Sequence, residues 1–169
     1  MDAAALRALQ APIKEQYKTD PKAAFITLKA KGTLDDGAIA CKVETGRVLA
    51  LAGLHPATGG SGLELCSGDM LLEALVACAG VTLKSVATAI ETPLKSGIVV
   101  AEGDLDFRGT LGVDKQAPVG FSDIRLTFAL DTDAAQDQLD TLLKLTERYC
   151  VVLQSLRHSP KTEATLMRA

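Results

Sequence analysis

The run MLLEALVACAGVTLKSVATAI, residues 70–90, sets the architecture of this chain. It is apolar almost all the way round and is interrupted only by Glu73 and Lys84, so it lacks the polar stripe of a surface helix. A helix of this kind belongs inside the protein. Ser67 stands where an N-cap is needed, and Asp69 puts negative charge in the first turn, against the positive end of the helix.

Upstream of this helix the period of the apolar residues is two. AAFITLKAKG (23–32) alternates, Asp35-Asp36-Gly37 supplies a turn, and AIACKVE (38–44) alternates again, which predicts a β-hairpin. RVLALAG (47–53) reads as a third short strand, and the Gly- and Ser-rich HPATGGSG (55–62) as a flexible loop. At the far end, residues 3–17 carry Leu6, Leu9 and Ile13 on one stripe and predict an amphipathic N-terminal helical extension.

Downstream, residues 98–107 and 121–130 alternate as strands around the turn-rich GTLGVDKQAPVG (109–120). Asp133 and Gln136 resemble a capping pair that opens a second helix from Ala134 to about Tyr149. That helix is expected to be broken or extended through VVLQSL (151–156), and residues 162–168 to form a last strand. Strands grouped on either side of one long helix, with a second helix after them, indicate an α+β fold. The whole chain, 1–169, reads as one domain, with the extension at 3–17 and a core at 23–168.

Composition narrows the function. The 169 residues are 47% hydrophobic and 23% charged, a globular balance. Only 4% are aromatic, with no Trp, which disfavours a base-stacking surface. A net charge of −3 gives no attraction for polyanions, so neither nucleic acid nor an acidic membrane is an expected partner. The longest uncharged apolar stretch, residues 74–83, falls short of the roughly 20 residues of a membrane span. The opening MDAAALRALQ has no secretion signal, and the chain is read as cytoplasmic, where four cysteines are expected to be thiols.

Each cysteine can be read as a small buried hydrophobe, and Cys41, alternating with Ile39 and Val43, fits this best. Local electrostatics rank the others. Cys66 lies beside a helix start and Cys150 follows Arg148 closely, both settings that favour a thiolate. Cys78 lies mid-helix, where the dipole gives little help and a neighbouring cation would be required. His55 sits in the glycine-rich loop as a possible base. The cysteines and histidines lack the close paired spacing of a zinc knuckle, and no phosphate-loop pattern occurs, so no metal or cofactor is expected.

Taken together, DMLLEALVAC before Cys78, LTERYCVVLQSL around Cys150, TGRVLALAG (45–53) and the Gly59-Gly60 pair resemble the OsmC/Ohr family of peroxide-handling proteins, in its broader branch rather than the dedicated organic hydroperoxide reductases. The resemblance implies curved antiparallel sheets around two central apolar helices, an intertwined homodimer, and reactive cysteines at the subunit boundary. It implies that Cys78 attacks a hydroperoxide and Cys150 resolves the product to a disulfide, which an external dithiol reduces. Cys66 stays open as an alternative resolving thiol. The pattern departs at two positions. Peroxidase members place a Glu where this chain has Gly68, and an Arg in the first hairpin turn, where it has Thr33-Leu34-Asp35-Asp36. Arg47, Arg108 and Arg148 are substitutes for that cation, and Asp69 or Glu73 for its carboxylate partner. A catalytically weak protein that binds a small hydrophobic ligand at the dimer interface is the alternative.

Overall fold

The structure, a computed structural model, describes residues 3–34, 41–43, 52–63 and 65–168. The expected turn at Asp35-Asp36-Gly37, most of the strand at 47–53, and Arg47 lie outside the described residues. The amphipathic N-terminal segment forms α1, Ala3–Thr19, two residues longer than its apolar stripe. It is anchored at its end by Tyr17, which is buried and whose hydroxyl donates to the Ala57 carbonyl at 2.8 Å. Asp20 then caps a short 3-10 turn at Pro21–Ala24.

Four strands form an antiparallel sheet in the order β2-β1-β5-β6, with β1 Phe25–Leu34, β2 Cys41–Val43, β5 Ser96–Asp106 and β6 Phe121–Asp131. The β1–β2 hairpin pairs as its alternation predicts, with Gly32 opposite Val43. The register Val99↔Phe128, Ala101↔Leu126 and Gly103↔Ile124 puts small or apolar side chains of β5 and β6 on one face. On the opposite face Arg125 bridges Asp104 at 2.6 Å and Asp123 at 2.8 Å, which offsets the repulsion of two carboxylates placed directly across the strands. Gly103 is required where it stands, because a Cβ there would fall 2.5 Å from the Phe121 ring.

The apolar run 70–90 becomes α2, Ser67–Ala89. It packs on β1 and β5, and Leu72, Leu75, Val76, Ala79 and Leu83 are fully buried. By length and hydropathy alone α2 could cross a membrane; here it is the core helix of the sheet. The N-cap is Cys66 rather than Ser67, one residue earlier than the sequence suggests, and it makes no side-chain cap bond. Nor is α2 buried all round: Leu71, Ala74, Val81 and Ser85 are exposed on the side away from the sheet.

Before α2, two short strands, β3 Ala52–Gly53 and β4 Leu65–Cys66, pair in parallel. The segment between them, expected to be a flexible loop, holds a 3-10 turn at Pro56–Thr58 with Thr58 buried. It closes so tightly that a Cβ on Gly60 would meet the Leu54 carbonyl oxygen. A four-residue helix, α3 Phe107–Thr110, follows β5.

The second long helix is α4, Gln136–Tyr149, two residues shorter at its start than expected. Asp133 does not cap it; that carboxylate pairs with Lys95 at 2.7 Å, and Gln138 Oε1 accepts the Ala135 N–H at 3.2 Å instead. The chain breaks at Cys150 and resumes as α5, Val151–Arg157. Residues 162–168, expected as a strand, have no regular structure and are exposed, because no sheet edge meets them.

Candidate functional site

Cys78 lies in the middle of α2, on the stripe that also carries Leu71, Ala74, Val81 and Ser85, and is half-buried. Cys150 lies at the break between α4 and α5 and is 0% exposed. Cys78 on α2 lies close enough to Cys150 to act on its proton affinity, and both are free thiols. Residues 72 positions apart in the chain are thus neighbours, one half-buried and the other enclosed.

Burial pushes the Cys150 thiol up from its ordinary 9.0 to about 11. The backbone N–H groups of Leu153 and Val152, at the start of α5, act in the opposite direction, and the Cys78 sulfur adds to the rise. The thiolate expected at Cys150 from the nearby Arg148 is thus corrected. The Arg148 guanidinium lies over the Tyr149 ring, 5.5 Å from its centroid, and is not among the groups acting on the sulfur. At neutral pH Cys150 keeps its proton and can donate it towards Cys78.

This raised value carries a pH consequence. Between about pH 9 and pH 11 the unfolded chain gives up the Cys150 proton while the folded chain retains it, so folding stability falls as pH rises through that window. The difference in unfolding free energy between the wild type and Cys150→Ala should shrink by about 2–3 kcal/mol from pH 8 to pH 11. Denaturant titrations at the two pH values check it, and an unchanged difference would show that the thiol is not held protonated.

The other sequence candidates gather elsewhere. Arg108 forms a forked ion pair with the buried Asp106 (Nε to Oδ1 3.0 Å), reaches Asp114 at 3.5 Å, and lies 5.5 Å from the Phe25 ring centroid. The hydrogen bonds it donates hold the Asp106 carboxyl below the usual range, against the effect of burial. His55, half-buried rather than simply exposed, stacks on Phe107 at 4.9 Å, and its Nδ1 accepts the Ala57 N–H at 3.0 Å, so the ring proton of the neutral form sits on Nε2. Burial lowers the His55 pKa, with the charge of Asp69 opposing. Burial likewise raises Asp69 and Glu73, and Asp69 adds to the rise at Glu73. Asp69 thus interacts with a histidine, and Glu73 with Asp69.

His55 and Cys66 line one cleft of about 410 Å³ with Thr58, Leu71, Phe107 and Phe121. Cys66 starts α2 and Cys78 comes twelve residues later, roughly 18 Å along the axis at 1.5 Å per residue, so the structure separates Cys66 from the thiol pair. His158 ends α5 as its C-cap. The side chain of Cys41 lies outside the described residues. No group of three or more His, Cys, Asp or Glu that could hold a metal ion occurs among the described residues.

One feature near the pair escaped the sequence reading. Thr146, one turn before Cys150 on α4, is buried and its hydroxyl has no hydrogen-bond partner. Only the observed helix break and burial pattern distinguish it from any other helical threonine.

The antiparallel sheet with a central apolar helix makes this an α+β protein. The OsmC-like protein family model matches residues 60–165, more than half of the chain. The chain belongs to the OsmC-like family. Its fold is similar to that of an OsmC-like hydroperoxide resistance protein from Jannaschia sp. CCS1, with a TM-score of 0.63 at 11% sequence identity, over 86% of this chain and 95% of that one. Among curated proteins, none matches the sequence.

Proposed function

We propose that this chain reduces organic or related hydroperoxides by a two-thiol cycle at Cys78 and Cys150. The observation that carries the reading is the nearness of a half-buried thiol, Cys78, to a fully buried one, Cys150. The Cys78 thiolate attacks one peroxide oxygen: an S–O bond forms, the O–O bond breaks, and the other oxygen leaves with a proton as the alcohol. The Cys150 sulfur then attacks the sulfenic acid on Cys78. An S–S bond forms, the S–O bond breaks, and the oxygen departs as water, taking up the Cys150 proton. Two thiols are oxidised and one hydroperoxide is reduced; an external dithiol exchanges with the disulfide to restore both thiols. No bound cofactor is needed.

Membership of the OsmC-like family and the likeness to a hydroperoxide resistance protein support this reading. So does the apolar surface around the site. Leu71 and Val81 are exposed on the Cys78 stripe, and Tyr149 and Val151, 57% and 70% exposed, flank Cys150. A second copy of this chain covering that surface would shield the thiols from water and form the homodimer. The site of action we assign is the cytoplasm, where a dithiol reductant is at hand. In the test, reduced protein is supplied with cumene hydroperoxide and a dithiol such as dithiothreitol. Turnover of many peroxide molecules per chain is expected; consumption no faster than by the dithiol alone would refute the reading.

One observation favours a second reading. Arg108 is committed to Asp106 and the Arg148 guanidinium lies over the Tyr149 ring, which leaves Cys78 without an assigned cation among the described residues. In that case the apolar surface would bind a small hydrophobic ligand at the dimer interface, and catalysis would be weak. An apolar fluorescent probe that binds the reduced dimer, together with the absence of peroxide turnover, would select it.

A further inference from the structure

Thr146 lies on the inward stripe of α4, between Leu142 and Cys150, and all three are buried. Its carbonyl accepts the Cys150 N–H at 3.0 Å, so the two side chains stand one helical turn apart on the same face. A helical threonine commonly turns its hydroxyl back onto the carbonyl four residues earlier. Thr141 does so with Asp137 at 2.9 Å, and Thr88 with Lys84 at 2.8 Å. The Thr146 hydroxyl makes no such bond and has no other partner, although it is 1% exposed. An enclosed hydroxyl with nothing to bond is rare because it gives up its hydrogen bonds to water without replacing them. Here the unused group stands one helical turn before Cys150, the thiol that, on the reading above, displaces an oxygen from Cys78.

We propose that Thr146 is the binding group for that oxygen: its hydroxyl donates a hydrogen bond to the sulfenic oxygen on Cys78 and assists its departure as water. The inference rests on the thiol-peroxidase reading. After the O–O bond breaks, the oxygen left on Cys78 is the acceptor for the Thr146 hydroxyl. When Cys150 forms the S–S bond, the leaving oxygen carries a growing negative charge that the hydroxyl stabilises, and it leaves as water with the Cys150 proton. A donor aimed at developing charge acts on the resolving step and not on the folded state.

The experiment compares wild type, Thr146→Val, Thr146→Ser and Thr92→Val, each reduced, treated with one equivalent of cumene hydroperoxide and quenched over time. Sulfenic acid on Cys78 and the Cys78–Cys150 disulfide are quantified by mass spectrometry. Thr92 is the control, since its hydroxyl is also buried without a partner but sits beyond the C-terminal end of α2. Thr146→Val should convert sulfenic acid to disulfide about tenfold more slowly, the loss expected for one hydrogen bond, and should accumulate sulfinic acid. Its melting temperature should equal or exceed that of the wild type. Thr146→Ser should restore the rate, and Thr92→Val should match the wild type. Disulfide formation at the wild-type rate in Thr146→Val, or an equal slowing in Thr92→Val, would overturn the assignment. If wild type forms neither sulfenic acid nor disulfide, the peroxidase reading fails and the role of Thr146 falls with it.

Discussion

Cys78→Ser is expected to abolish peroxide reduction, with a loss of at least about three orders of magnitude, because a hydroxyl at neutral pH is a far poorer nucleophile than a thiolate. Cys150→Ser separates the two halves of the cycle. It retains the accessible sulfur, so it should consume about one peroxide per chain. It should then stall, since no second thiol condenses the sulfenic acid, and further peroxide should drive Cys78 to sulfinic acid. Turnover and stoichiometry, read by peroxide assay and intact mass, check both. Full activity in Cys78→Ser would place the chemistry elsewhere, and continued turnover in Cys150→Ser would give the resolving role to another thiol.

Truncation of Leu75 should have the largest effect on stability. Its side chain is 0% exposed, in the layer where α2 meets the sheet, and its neighbours Leu72, Val76 and Ala79 are held by the same contacts. Leu75→Ala removes apolar burial and leaves a cavity that rigid strands β1 and β5 cannot collapse into, so a loss of about 2–5 kcal/mol is expected. Guanidinium unfolding measures it. Leu71, on the open side of α2 and 38% exposed, offers the contrast. Leu71→Ala should cost the isolated chain no more than about 0.5 kcal/mol. Equal losses at the two positions would mean that the sheet does not lie on the Leu75 side of the helix.

Much of this fold is legible in local patterns. The two-residue alternation of 23–32 and 38–44 announces the hairpin, and the near absence of charge from 70–90 announces a core helix. What periodicity does not carry is which strands meet. The pairing of β1 with β5 joins Phe25 to Asp106 across some eighty residues, and only packing selects it. The same limit explains why α2 looked buried on every side while Leu71, Ala74, Val81 and Ser85 are exposed: composition cannot tell a face covered by the chain's own sheet from one left open. The expected Asp133 cap failed for a reason that no local pattern holds. Asp133 found a cation, Lys95, that lies 38 residues away in sequence, so it was not available to α4.

The site shows the split more sharply. Local electrostatics ranked Cys66 and Cys150 above Cys78, since a helix start and an adjacent guanidinium both favour a thiolate. At Cys150 that signal was outweighed by tertiary structure. Cys66 starts a helix but lies far along it from Cys78, and Cys150 is enclosed so completely that burial dominates its proton affinity. The nearness of Cys78 to Cys150 depends on the helix break at residue 150 and on how α4 and α5 pack against α2, neither of which appears in spacing or charge. Only the likeness of the two helical segments to a known family suggested the pair. Thr146 had no such signal, because an unpaired hydroxyl is a property of packing.

The central claim is tested most directly by mapping disulfides in the reduced wild-type protein after one equivalent of cumene hydroperoxide. The account predicts a single new bond, between Cys78 and Cys150, formed as the peroxide disappears, with Cys66 still alkylatable. Free Cys150 beside an oxidised Cys78, or a bond that joins Cys78 to Cys66 or Cys41, would contradict it.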